Sequence, residues 1–146
     1  MKAPEIINKL KTMTKKTFTK EERAAYFTKL RAGWASAKAQ AGTDTEAQAM
    51  YQEAQASGVV VSMTGFYFTL IQMRAQRLAG SPYIDAKTFK GWLARGFMVR
   101  KGEHSKIEGI TWIMAKGKEG DDEDKGGMYP KGYHLFHSSQ VEAVTN

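Results

Sequence analysis

The chain has 146 residues, 22 Lys/Arg against 15 Asp/Glu, and a formal net charge of +7. Its 42% apolar and 25% charged residues are ordinary for a soluble globular protein, and its length fits one domain over residues 1–146 with a core of its own. It contains no cysteine, which excludes disulfides, thiol catalysis and cysteine-ligated zinc or iron–sulfur sites.

Residues 1–19 are polar and Lys-rich and read as a basic arm or short helix. Thr19 followed by Glu22 has the spacing of a capping box and predicts a helix from Lys20 to Ala41. Phe27, Leu30, Trp34, Ala37 and Ala41 recur at spacings of three and four, so they share one apolar stripe. Thr43 and Glu46 repeat the capping spacing and predict a second helix to Ala56, with Ala47, Met50, Tyr51 and Ala54 inward. Residues 20–57 are thus a helical pair. Val59–Val61 is β-branched and reads as a short strand. Ser62 or Thr64 caps a third helix through Ala79, with Phe66, Leu70 and Met73 along one side.

Tyr83-Ile84 reads as a minimal strand, and Asp85 as the cap of a helix over Ala86–Ala94 with Phe89, Trp92 and Leu93 inward. Gly96 is its left-handed stop. Phe97–Val99 is a strand, Lys101-Gly102-Glu103 a tight turn, and Ile107–Ala115 the longest strand. Gly117–Gly127 is a polar loop carrying Asp121, Asp122, Glu123 and Asp124. Tyr133–Phe136 then returns as the partner of an antiparallel hairpin. Ser138 or Ser139 caps a final short helix toward Val144. Helices first, then a small curved antiparallel sheet with a short helix inserted, make an α+β fold.

Charge is patterned along this order. Residues 1–31 hold nine Lys/Arg and three acids, and residues 74–118 hold ten and three. Residues 32–73 hold one and three, and residues 119–146 two and six. Two basic blocks point to a polyanionic partner. The second block interleaves Lys90, Arg95, Arg100, Lys101, His104 and Lys106 with Trp92 and Trp112. Tyr129, Lys131, Tyr133, His134 and Phe136 follow on the return strand. Cations hold phosphates and flat rings stack on unpaired bases, which is the chemistry of single-strand binding. Leu135 marks the core face of its strand, and this assigns His134 and Phe136 to the open one.

Catalytic and metal chemistry have little footing here. His134 and His137 are three apart on an extended strand and face opposite ways, and His104 is in a turn. No zinc site, cofactor or enzymatic activity is expected, for no Walker loop, G-x-S-x-G or H-E-x-x-H occurs. The clustered acids read as a solvated hairpin tip. The N-terminus carries no apolar run of signal-peptide length, and the most apolar later stretch, residues 58–71, is too short to span a bilayer. A soluble cytoplasmic protein, with no membrane partner, is expected.

The run S-M-T-G-F-Y-F-T-L-I-Q-M-R at 62–74, T-F-K-G-W-L-A-R-G at 88–96, V-R-K-G-E at 99–103, I-T-W-I at 110–113 and Y-P-K-G-Y-H-L-F-H-S-S-Q-V at 129–141 resembles a known family. It is similar to the N-terminal single-stranded-DNA-binding domain of ArdC-type antirestriction proteins, over residues 58–146. The resemblance implies a stand-alone single-stranded DNA binder of little sequence preference. It also implies a setting in phage or plasmid DNA replication, recombination or protection inside a bacterial host. The family's metallopeptidase part is absent. The alternative reading is an antirestriction or host-factor module acting through protein contacts, with the acidic loop as its working part. Residues 1–56 are a candidate segment for self-association on DNA, although no pattern in them indicates it, and host or phage replication proteins are the other candidate partners.

Overall fold

A computed structural model of the chain describes residues 19–114 and 127–145. The basic arm before Thr19 and the acidic loop over residues 115–126 lie outside the described residues. Three helices come first: α1 (Lys20–Ala41), α2 (Thr45–Ala56) and α3 (Met63–Ala75). A short strand β1 (Ala86–Lys87), helix α4 (Phe89–Ala94) and strand β2 (Phe97–Val99) follow. Then come β3 (Ile107–Met114), β4 (Met128–His137), a single 3-10 turn (Ser138–Gln140) and β5 (Val141–Ala143). The architecture is α+β, with an antiparallel sheet in the order β1-β4-β3 and a separate pair β2-β5.

The capping box forms as expected. The Glu22 amide donates to Thr19 Oγ1 at 3.0 Å and the Thr19 amide to Glu22 Oε1 at 2.8 Å. Two orphan donors at the start of α1 are thereby satisfied. The cap of α2 is Asp44, not Thr43: its carboxylate accepts from the Ala47 amide at 3.0 Å. Ser62 caps α3, which stops at Ala75 rather than Ala79. Arg77 there adopts a left-handed φ of 57°, so the helix cannot continue through it.

Alanines set the helix spacing. Ala37 and Ala41 of α1 and Ala47 and Ala54 of α2 are buried together with Phe66, Tyr67 and Leu70 of α3. Small side chains let the three helices approach closely, and burial of Phe66 alone stabilises the fold by about 1.5–3 kcal/mol. A second cluster joins Met73 of α3 to Ala86, Ile107 and Leu135 of the sheet.

The backbone groups of Glu108 on the outer edge of β3 are also satisfied. Gln72 of α3 accepts from the Glu108 amide at 2.8 Å and donates to the Glu108 carbonyl at 2.9 Å. Its side-chain amide thus stands in for one residue of a neighbouring strand and pairs the edge at Glu108. Gln76 repeats the contact at the Lys106 carbonyl, 2.6 Å away.

Four expectations are corrected. Val59–Val61 pairs with no strand among the described residues, so its β-branched run stays a loop. Tyr83-Ile84 is a turn, with Tyr83 at φ 66°, and the strand begins at Ala86. The helix that follows is capped by Thr88, not Asp85: the Gly91 amide donates to Thr88 Oγ1 at 3.0 Å. Asp85 instead accepts from the Ser81 amide at 2.8 Å. The expected final helix is one 3-10 turn, and Val141–Ala143 pairs antiparallel with β2. The β2–β5 pairing claims those backbone groups, which leaves none for a helix.

Candidate nucleic-acid interface

The hairpin β3–β4 runs in register from Ile107 opposite Leu135 to Met114 opposite Met128. Most of its rings are occupied within the protein. Trp112 lies edge-on to Trp34 of α1, with centroids 5.5 Å apart. Tyr129 meets Phe27 at 5.9 Å. Tyr133 covers Gly109, where any side chain would collide with its ring, and its hydroxyl is 2.6 Å from that of Tyr83. Burial, reinforced by Tyr83, raises the Tyr133 phenol far above its ordinary range. All three rings therefore have packing partners within the protein and are half-buried.

Trp92 is more enclosed than these three. It is only 6% exposed, its indole N–H donates to the Phe136 carbonyl at 2.7 Å, and it stacks edge-on to Phe97 at 5.6 Å. Phe136 is half-buried against Phe89, with centroids 6.4 Å apart. Phe89, expected inward, is 47% exposed, and Leu93 one turn on is 46% exposed. The short α4 buries only Trp92, while Phe89 meets Phe136 edge-on and keeps about half of its surface in solvent. His134 is exposed, as its place beside Phe136 on the strand predicts.

Among the cations, Lys90, Arg95, Lys101, Lys106 and Lys131 are exposed, and none forms an ion pair among the described residues. Arg100 is less free than its sequence position implies. Its guanidinium donates to the Ser139 and Val141 carbonyls and stands 4.0 Å from Glu103. Glu103 in turn accepts from Gln140 Nε2 at 3.1 Å, and Gln140 also donates to the His104 carbonyl at 2.6 Å. The V-R-K-G-E run and the late Gln therefore meet in space. Gln140 is a buried clip that fixes the Lys101–Gly102 turn and aims its cations outward. Lys131 stands apart, opposite Thr111 on the hairpin.

Sequence reasoning missed the concave feature of this region. A cleft of about 470 Å³ opens between the Ser57–Val60 loop and the segment from Tyr83 to Phe97. Lys87, Trp92, Arg95 and Phe97 line it, and no lining residue is acidic. Lys87 Nζ donates to the Tyr83 carbonyl at 2.7 Å and sits 5.6 Å from the centre of the Trp92 ring. Burial lowers the Lys87 pKa, and repulsion from Arg95 lowers it further, against a smaller opposing pull from Asp85. Reading residues 86–94 as one helix hid Lys87 on an outer face.

Among the described residues no group of three or more His, Asp or Glu side chains is placed to hold a metal ion, and no helix is long and apolar enough to cross a membrane. Comparison with family models, curated proteins and solved structures returns no match.

Proposed function

We propose that this protein binds single-stranded DNA with little sequence preference, through the cations that surround α4 and the β2–β3 turn. One observation carries the reading. Residues 77–106 hold seven Lys/Arg against two carboxylates, Asp85 and Glu103, and both carboxylates are already engaged within the protein, Asp85 by the Ser81 amide and Glu103 by Gln140. The positive charge is thus left over for an external anion, and a phosphate backbone supplies anions at regular spacing. The resemblance to the ArdC-type N-terminal domain agrees with this assignment and suggests a phage or plasmid setting in DNA replication, recombination or protection.

Base stacking has a smaller part than the aromatic content suggests. Phe89, Phe136 and His134 remain for it at the surface, whereas Trp92, Trp112, Tyr129 and Tyr133 shape the scaffold. Affinity then comes chiefly from phosphate contacts and is strongly salt-dependent. Contact with about five phosphates gives a log–log salt slope of roughly −3.5, so a fourfold rise in salt weakens binding about 100-fold. Titrating a labelled oligonucleotide at two salt concentrations tests this, and equal affinity at both rejects the phosphate mechanism. Replacing Lys101 and Lys106 by Ala weakens all sequences alike. A loss confined to one sequence points to base readout instead.

A further inference from the structure

The cleft between the Ser57–Val60 loop and α4 has a composition that solvent exposure does not explain. Lys87 and Arg95 share its wall, and Arg95 disfavours the Lys87 charge more than Asp85, which does not line the cleft, favours it. Like charges held together without a lining carboxylate leave a site that an anion relieves. Apart from Ser57 and Gly58, the rest of the lining is aromatic or aliphatic, with Tyr83 and Phe97 on one side and Val59 and Val60 on the other. Val60 is 97% exposed, so nothing among the described residues covers the mouth. A volume of about 470 Å³ exceeds what an isolated phosphate fills and lies within the range of small-ligand sites.

We propose that this cleft takes one nucleotide, with its phosphate on Arg95 and Lys87 and its base between the Val59–Val60 loop and the Phe97 and Tyr83 rings. The inference rests on the single-strand reading for the source of that nucleotide, but its chemistry is shared by a free mononucleotide. Tyr83, at a left-handed φ of 66°, accepts through its carbonyl from Lys87 Nζ at 2.7 Å, which holds the ammonium at the wall. Arg95 supplies the planar fork that matches phosphate oxygens. The cleft then anchors one point of a strand whose other phosphates lie on Lys90, Lys101 and Lys106.

Saturation-transfer NMR on the full chain tests this with thymidine monophosphate, thymidine and inorganic phosphate as separate probes. Anisotropy of a labelled oligothymidylate is measured alongside. The variants are Arg95→Ala and Val60→Glu, whose exposed positions spare the fold, with Lys38→Ala on the far helix as control; melting curves confirm that each is folded. The monophosphate gives transfer to its base protons in the wild type and the control, and loses it in both cleft variants. Thymidine binds at least tenfold more weakly than its monophosphate. The two cleft variants also weaken the oligothymidylate about tenfold. The cleft proposal is overturned when the monophosphate gives no transfer, or equal transfer in wild type and both variants, while the oligonucleotide still binds. If the wild type fails to bind the oligonucleotide yet the monophosphate signal depends on Arg95 and Val60, the strand reading falls and the cleft stands as a free-nucleotide site.

Discussion

Two tryptophans twenty residues apart, and the regions around them, behave differently. Trp112 belongs to the hairpin that α1 and α3 cover, where rings meet rings: Trp34 and Phe27 of α1 each occupy one of the strands' aromatics. Trp92 belongs to the segment from Tyr83 to Lys106, which is built of short elements. There one ring is buried, and the cations and Phe89 around it stay at the surface. The same residue types thus serve packing in one region and are available for a ligand in the other. The distinction depends on whether a helix from the N-terminal half lies over them.

Substitutions separate the two regions most sharply in the hairpin. Leu135 is fully buried against Met73, Ala86 and Ile107. Leu135→Ala costs about 2–5 kcal/mol, the transfer term plus the cavity it leaves. Chemical denaturation measures it, and a cost below about 1 kcal/mol places the hairpin outside the core. Gln72→Ala comes next. It strips the Glu108 amide and carbonyl of their partner and costs about 1–3 kcal/mol, with faster hydrogen exchange at Glu108 as the local signature.

Trp112→Phe sharpens the comparison from the other side. The Trp112 indole nitrogen is buried with no acceptor among the described residues. Phenylalanine keeps the edge contact with Trp34 and removes that unsatisfied donor, so the two effects offset to within about 1 kcal/mol. A loss above 2 kcal/mol shows that the indole N–H has an acceptor after all. In the α4 region the balance reverses: Lys101→Ala and Arg95→Ala change stability by about 0.5 kcal/mol or less, as surface substitutions do, while weakening the oligonucleotide complex.

The fold was legible wherever its cause was local. The Thr19–Glu22 box, the stripe through Leu30 and Ala37, strand Phe97–Val99 and the long hairpin follow from cap chemistry and periodicity. Strand β5 was not legible, because Val141–Ala143 has too few residues for a period and exists by pairing with Phe97–Val99. The Asp85 cap failed for a related reason: the Ser81 amide, four residues back, had the better claim on its carboxylate. Of the candidate site, the cations were legible and the rings were not. A cation's exposure is nearly assured by its solvation cost. A ring's exposure depends on partners such as Trp34, which is remote in sequence from Trp112. The cleft needed two segments to be brought together, the Ser57–Val60 loop and Lys87–Phe97, and no local pattern announces that.

The smallest expected effect concerns the junction of α2 and α3, which belongs wholly to the packed region. Asp44 caps α2, accepts from Tyr67 Oη at 2.9 Å and pairs with Arg74 at 2.6 Å. The Arg74 hydrogen bond first, then the Ala47 amide, hold its carboxyl at about 2 against an ordinary 3.8. A carboxylate whose pKa is depressed on folding stabilises the native state above its unfolded pKa, and that contribution is lost as pH falls through the folded value. The stability difference between wild type and Asp44→Asn is therefore full above about pH 4 and shrinks between pH 4 and 2. Because the pair is partly exposed, salt reduces the difference at every pH. Parallel melting curves at pH 5, 3.5 and 2.5 measure it. A difference that stays constant across that window shows that the Asp44 charge is not what joins the helices, and leaves the capping hydrogen bond as the whole of its effect.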